Sequence, residues 1–349
     1  MVLIYLLTII LLITCILAFI EERLPEYKWY LYILLGGILI TMAALKPIGI
    51  DNDSDTYEIY FLHWDDPVFG VLVEPSFLFI SQLLNHITHN VHWIFLFYAS
   101  IGLTLKLQAI KKLTPLVFLA MAVYVSNYFI LHEFTQLRAS IASGILLLSV
   151  KPIAEGRRKR ATLYMLVAMV FHYSSAALFP LLLLNNKEMN LQQRIVWALV
   201  IPFGYVLWIT GISIGDIPIP YISDKLNTYK ELQEEGLFDA VNVFNLVYLV
   251  KILIYYFILY FYDTISGNNK YLPLLLKMEG LSLFCFSGLS AIPILAFRVS
   301  ELYGIVEVVL FTCVFYTVNP KWLGKLTVIT IALVLFAINV FYNDILHFS

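Results

Sequence analysis

Three short motifs set charged or polar side chains inside, or at the ends of, long apolar runs. They are LHEFTQLR at 131–138, FHYSS at 171–175 and RVSE at 298–301. A charge near the centre of a bilayer costs about 2.5–3.5 kcal/mol on insertion scales, so each of these residues is a functional hypothesis. A guanidinium fork suits phosphate oxygens, and Arg138 facing Arg298 across a cavity would clamp a diphosphate.

The first motif begins like the helix of a zinc protease but lacks its second histidine. Gln136 stands four residues after His132, and an amide is a poor zinc ligand, so we disfavour that function. His132, Gln136 and Ser140 instead share one helical face that continues to Ser143, a polar stripe that a lipid-facing helix would not carry. The alternative is a hydrogen-bonded helix start whose Arg138 reaches the head groups.

The other two motifs also have structural alternatives. At about 1.5 Å per residue, His172 would lie about 18 Å from Arg160, the end of a basic loop, and so near the opposite polar layer. There a neutral histidine would donate a hydrogen bond to a sugar or diphosphate oxygen. The alternative is a histidine that only hydrogen-bonds to other residues within the protein core. Arg298 and Glu301 share a helical face and would form an ion pair without any substrate.

An acidic segment at residues 46–73 carries weaker patterns. It begins like a calcium loop at Asp51, but the sixth-position glycine and twelfth-position glutamate of an EF-hand are replaced by Thr56 and Leu62. Its Asp- and Tyr-rich part, residues 53–60, suits sugar binding or an ordinary solvated loop. We find no convincing set of metal ligands, so we expect neither a metal nor another cofactor.

The elements that position these motifs are predicted to be membrane-spanning helices. Of 349 residues, 61% are hydrophobic and 13% charged, and the mean hydropathy is +0.84. Several apolar runs reach the roughly 20 residues that are needed to cross a hydrocarbon layer about 30 Å thick. Lipid cannot hydrogen-bond to backbone N–H groups, so a chain that crosses this layer must satisfy them internally, as a helix does. The sequence therefore predicts an all-α polytopic transmembrane helical bundle. No polar linker divides residues 1–349, which we expect to form one integral membrane domain without a nucleic-acid-binding patch.

The distribution of charge predicts the topology. We expect ten or eleven spans, at about residues 2–20, 29–45, 91–110, 113–131, 137–151, 161–184, 195–212, 244–262, 272–296, 299–318 and 326–342. The basic loop at 151–160 is expected on the cytoplasmic side. The acidic segments 46–73 and 213–243 can then both lie on the outer side only if one element between 161 and 223 does not cross the membrane. The Gly- and Pro-interrupted stretch 211–220 is one candidate.

The ordered set of motifs resembles the EpsG family of polysaccharide polymerases, a branch of the Wzy-type O-antigen and exopolysaccharide polymerases. The resemblance covers about residues 50–300. It rests on Asp55, Tyr57 and Tyr60, on EPSF at 74–77, on QLRASIA at 136–142, on FHYSS at 171–175, and on Phe297 with Arg298. Each motif is short, so the specificity comes from their order along one polytopic chain.

The resemblance implies a glycosyltransferase that uses lipid-linked sugars. In such an enzyme a hydroxyl of a newly exported repeat unit attacks the anomeric carbon of the growing saccharide and expels undecaprenyl diphosphate. The active site would lie at the outer face of the bacterial cytoplasmic (inner) membrane. The substrates would be oligosaccharides linked to undecaprenyl diphosphate in the membrane lipid, and a chain-length regulator and a flippase are candidate partners.

The same resemblance implies roles for particular side chains. Arg138 and Arg298 would hold the departing diphosphate, and Glu133 or His172 would act as general base. The expected substrate-binding residues are Asp55, Tyr57, Glu74, His132, Gln136 and Glu301.

Two other classes of membrane protein stay open. A flippase for lipid-linked saccharides would also use intramembrane arginines, but it would show inverted repeats, which we do not find. A membrane O-acyltransferase acting on glycans would use a histidine such as His172, although no second catalytic acid is obvious near it. Lengthening of lipid-linked saccharides distinguishes a polymerase from both.

Overall fold

The computed structural model describes residues 2–68, 73–212, 241–343 and 345–346. The described chain is helical, and its β-structure is one isolated bridge between Asp51 and Leu346. This confirms the all-α prediction. The helices up to the basic loop are α1 (Val2–Ile20), a 3-10 turn (Glu21–Arg23), α2 (Lys28–Ala44), α3 (Ser54–Leu62), α4 (Pro75–Asn85), α5 (His92–Leu113), α6 (Val117–Ser126), a π-helix (Phe129–Thr135) and α7 (Leu137–Ala154).

The second half of the chain continues the helical pattern. Its elements are α8 (Arg158–Phe171), a 3-10 helix (Tyr173–Leu183), α9 (Leu191–Thr210), α10 (Leu246–Tyr260), α11 (Tyr262–Ser266), α12 (Leu272–Gly288), α13 (Pro293–Gly304), α14 (Glu307–Leu310), a 3-10 helix (Phe311–Thr317), α15 (Lys321–Ala337) and a π-helix (Ile338–Tyr342). The predicted external loop 213–243 lies outside the described residues up to position 240.

Five described helical segments are long and apolar enough to cross a membrane alone. They are Val2–Arg23, α5, α7, α9 and Lys321–Tyr342. Helix α6 and the π-helix after it, bent by 59° at their junction, would make a sixth. Four of the other predicted spans contain a shorter apolar helix of 10–17 residues, as α2 and α10 do. The polytopic character of the chain is thus confirmed, whereas several of its crossings are shorter than the sequence suggested.

The predicted span 161–184 is a helical hairpin and not one straight crossing. Helix α8 has 14 residues and the following 3-10 helix has 11, which correspond to about 21 and 22 Å at their ordinary rises. Arg158, the first residue of α8, donates to the carbonyl oxygens of Leu182 and Leu184 at the far end of the 3-10 helix. The chain therefore returns to the level at which it started. This hairpin, with its tip at His172, is a candidate for the non-crossing element that the charge distribution predicts. The other candidate, 211–220, lies outside the described residues from position 213.

Two further span boundaries differ from the prediction. The span predicted at 272–296 ends at Gly288, and a new helix begins at Pro293. The span predicted at 299–318 is divided into α13, α14 and a 3-10 helix, with a break after Gly304. Apolar runs continue across these breaks, so hydropathy alone does not show them.

Helix α7 lies at the centre of the bundle. Of its apolar window 78% is buried, against 11% for α9. It packs closely on α5, because a Cβ atom on Gly144 would lie 3.0 Å from the carbonyl oxygen of Gly102. Small residues allow this kind of backbone approach in membrane bundles. Helix α7 thus runs through the bundle from Arg138, near one end, to the basic loop at the other.

Candidate active site

Three of the predicted site residues form one hydrogen-bonded chain. Arg138, in the first turn of α7, donates from Nη1 to Oε2 of Glu74. The other carboxylate oxygen of Glu74 lies 3.1 Å from Nδ1 of His172 and accepts a bond of 3.1 Å from the backbone N–H of Tyr173. These residues come from three separate parts of the sequence. The fold brings them together at the end of α7 that is predicted to face outward.

Local sequence explains why Glu74 and His172 point into this site. Glu74 has an extended backbone, with ψ of 140°, because it precedes Pro75, which disfavours helix at the residue before it and begins α4. His172 is also extended, with φ of −154° and ψ of 109°, at the tip of the hairpin. Both side chains therefore project from helix ends, where the backbone is free of helical constraints.

The carboxylate of Glu74 is held in its ionised form. Burial raises the pKa of Glu74. The hydrogen bond from His172 and the charge of Arg138 lower this pKa by more than burial raises it, and the result is a pKa of about 2. An ionised carboxylate only accepts hydrogen bonds, so Nδ1 of His172 carries the proton in this pair. The neutral imidazole then has its lone pair on Nε2, the atom that a proton acceptor needs.

An aromatic wall supports the arginine. The guanidinium carbon of Arg138 lies 5.7 Å from the ring centroid of Tyr57 on α3, and that ring packs on Phe77 at 5.6 Å. A cation over an aromatic face is attracted by the ring quadrupole. The Nε donor of Arg138 is buried and has no partner among the described residues. An unused donor of this kind is available to an anionic ligand.

Arg298, Asp53 and Gln136 lie around the same chain of residues. Arg298 is exposed on α13 and makes no hydrogen bond or ion pair with any residue that the structure describes. Burial and the neighbouring Asp51 raise the pKa of Asp53, whereas the charges of Arg138 and Arg298 act to lower it. The charges of both arginines therefore act on the same carboxyl group.

Glu301 is half-buried and does not form the predicted alternative ion pair with Arg298. Its Oε2 instead accepts a hydrogen bond of 2.9 Å from Nε2 of Gln136, two residues before Arg138. This bond links α13 to the start of α7. The guanidinium of Arg298 is thereby left free for another partner.

Glu133 and His132 lie apart from this group, in a closed part of the core. Glu133 is fully buried and accepts bonds of 2.6 Å each from Lys106, Tyr124 and Ser140. His132 is also fully buried, and its Nδ1 lies 3.0 Å from the hydroxyl of Ser143. The sequence predicted roles in catalysis and substrate binding for this pair. Because both side chains are fully buried, we favour a structural role for the pair, which stays a prediction.

Asp55 and its neighbours are arranged differently from the sequence expectation. Asp55 is exposed on α3, and its carboxylate lies beside Gly49. Asp51 is buried in an ion pair of 2.8 Å with Lys46 and caps the backbone N–H groups of residues 53 and 54. The charge of Arg138 acts on Asp53, and the predicted substrate-binding role of Asp55 stays a prediction. Asp53 and Tyr57 stand four residues apart on one helical face, a spacing that the sequence already shows.

A second buried ionic network was not singled out from the sequence. Lys251 pairs with Glu307 at 2.8 Å, and Tyr128 and Asn127 donate to the same carboxylate. Glu279 is fully buried nearby, and neither of its carboxylate oxygens has a hydrogen-bond partner among the described residues. Each of these acids and the lysine interrupts an apolar run, so the signal used for the first three motifs would also have found them.

Comparisons with known proteins follow the geometry. A family model described as the EpsG family matches residues 29–348. No curated protein matches the chain, and no solved structure does. Within the described residues, no group of three or more His, Cys, Asp or Glu side chains is arranged to hold a metal ion.

Proposed function

Because this chain belongs to the EpsG family, a family of the polysaccharide-polymerase type, we propose that it joins lipid-linked sugar repeat units at the outer face of a bacterial cytoplasmic membrane. The donor is a growing saccharide on undecaprenyl diphosphate, and the acceptor is a lipid-linked repeat unit. The observation that carries the proposal is the hydrogen-bonded chain of Arg138, Glu74 and His172, together with an exposed Arg298 that has no ion-pair partner among the described residues.

Two arginines suit the departing diphosphate. As the bond between the anomeric carbon and the diphosphate oxygen breaks, its electron pair stays on that oxygen. Fixed guanidinium donors stabilise this developing charge. Arg138 supplies its unpartnered Nε, and Arg298 supplies a side chain free of ion pairs in the described structure. Glu74 and the ring of Tyr57 fix the position of Arg138 before the substrate arrives.

His172 is the better placed of the two bases that the sequence offered. The acceptor hydroxyl transfers its proton to Nε2 of His172 while its oxygen forms the new bond to the anomeric carbon. Glu74 holds Nδ1 and so orients the ring, the arrangement by which carboxylates support catalytic histidines. Glu133 is less suited, because it is fully buried and both of its oxygens already accept hydrogen bonds, from Lys106, Tyr124 and Ser140.

The direct test uses purified protein with lipid-linked repeat units. A polymerase yields a ladder of longer saccharides, whereas a flippase or an O-acyltransferase leaves the units at their original length. Arg138→Ala and Arg298→Ala should abolish the ladder while the protein stays in the membrane. Arg23→Ala, which removes an exposed arginine far along the chain from the site, is the matched control. A wild-type ladder from both site variants would overturn the proposal.

A further inference from the structure

A basic pocket opens at the other end of α7. Its volume is about 170 Å³, whereas about 10–15 Å³ holds one water molecule. Four cationic side chains line it together with one acid and one phenol: Lys112, Lys151, Arg157, Arg160, Glu155 and Tyr164. At about 1.5 Å per residue, Lys151 lies about 20 Å along α7 from Arg138. The pocket is therefore separate from the candidate active site.

The charges in this pocket are not balanced by the protein. Glu155 is shared between Arg157, at 3.2 Å, and Lys151, at 3.9 Å. Lys112 and Arg160 have no acidic partner within the described residues. Arg160 donates to the hydroxyl of Tyr164 at 3.1 Å, and its guanidinium lies over the ring of the same tyrosine. The ends of α5 and α7 add about half a negative charge each, and the start of α8 adds about half a positive charge. An excess of about two to three positive charges is left for a ligand.

The surface next to the pocket is apolar and faces outward from the bundle. On α8, the side chains of Leu163, Leu166, Val167 and Val170 are 58, 50, 41 and 56% exposed. Their spacing of three, four and seven residues puts them on one helical face. This stripe begins next to Arg160 and runs away from the basic end, along the direction in which an acyl chain extends from its head group.

We propose that this pocket binds the phosphate head group of an anionic phospholipid, whose acyl chain lies along the exposed stripe of α8. Basic pockets between membrane helices suit such head groups, and each nearby Lys or Arg contributes favourably. A free phosphate ion shares the head-group chemistry but would make no use of the stripe. The basic loop is predicted to face the cytoplasm, so the lipid belongs to the inner leaflet. The inference does not depend on the polymerase activity.

Native mass spectrometry of the detergent-purified full chain tests the proposal. Phosphatidylglycerol should stay bound at concentrations at which phosphatidylcholine does not, and added inorganic phosphate should not displace it. The double variant Arg157→Gln with Arg160→Gln should bind phosphatidylglycerol roughly ten- to thirty-fold more weakly, at about 1 kcal/mol per basic contact. Lys159→Gln removes an exposed charge from the same loop outside the pocket and should bind like the wild type.

Three results would overturn the assignment. They are equal retention of phosphatidylcholine, displacement of phosphatidylglycerol by inorganic phosphate at similar concentration, and unchanged binding in the double variant. Both arginines are exposed, so the double variant should fold. Salt gives an independent readout on the wild type, because retention that rests on charge must fall as ionic strength rises.

Discussion

Replacing Glu74 with glutamine tests the arrangement of the site most directly. The pKa of Glu74 lies at about 2 instead of 4.5, which at about 1.4 kcal/mol per pKa unit corresponds to about 3 kcal/mol of favourable contacts to the carboxylate. Glutamine has one acceptor oxygen and would turn its amide N–H₂ toward either Arg138 or His172. One of these two side chains would therefore lose its fixed orientation.

The expected result for Glu74→Gln is a loss of polymerisation rate of about 10²–10⁴-fold, the usual contribution of a positioned acid or base. The assay is the rate of ladder formation from lipid-linked repeat units. Glu58→Gln makes the same chemical change on the neighbouring helix α3 and should keep the wild-type rate. If the Glu74 variant polymerised as fast as the wild type, the role given to the carboxylate between Arg138 and His172 would be wrong.

The pH dependence of stability gives a second readout for Glu74. Because its pKa is lower in the folded protein, its stabilising contribution is fully present above about pH 4.5 and is lost as the pH falls toward about 2. Thermal unfolding of the wild type in detergent should therefore shift to lower temperature across this window. The Glu74→Gln variant should lack this part of the shift. An identical acid profile for both proteins would contradict the assignment.

The buried networks and the hairpin lead to three further outcomes. Glu133→Gln should lower stability by about 3–5 kcal/mol, because Lys106 is left charged and unpaired in the core, and unchanged unfolding in detergent would refute the structural role. Glu307→Gln should lower the free energy of unfolding by a similar amount, because Lys251 loses its ion-pair partner. Glu279→Gln should leave stability nearly unchanged, since neither oxygen of Glu279 has a described partner. Equal losses of stability in the two variants would contradict this expectation. Arg158→Ala should lower the free energy of unfolding by about 1–3 kcal/mol, because two carbonyl groups lose their hydrogen-bond donor. The measurement is the chemical accessibility of cysteines introduced across residues 173–183, which should rise.

The sequence was sufficient for the features that depend on local chemistry. Apolar runs predicted the helical membrane class, because lipid permits few other structures. The cost of placing charge in lipid singled out Arg138, His172 and Arg298 before their surroundings were known. The uneven distribution of charge also predicted a non-crossing element between residues 161 and 223, although it did not show the hairpin whose tip is His172.

The tertiary structure decided which partners each polar residue meets, because those partners come from distant parts of the chain. Glu133 and His172 were equal candidates in the sequence, but Lys106, 27 residues away, closes off the first, and Glu74, 98 residues away, orients the second. A motif thus fixes which chemistry a side chain is capable of, while packing fixes which charges it meets and whether a substrate reaches it.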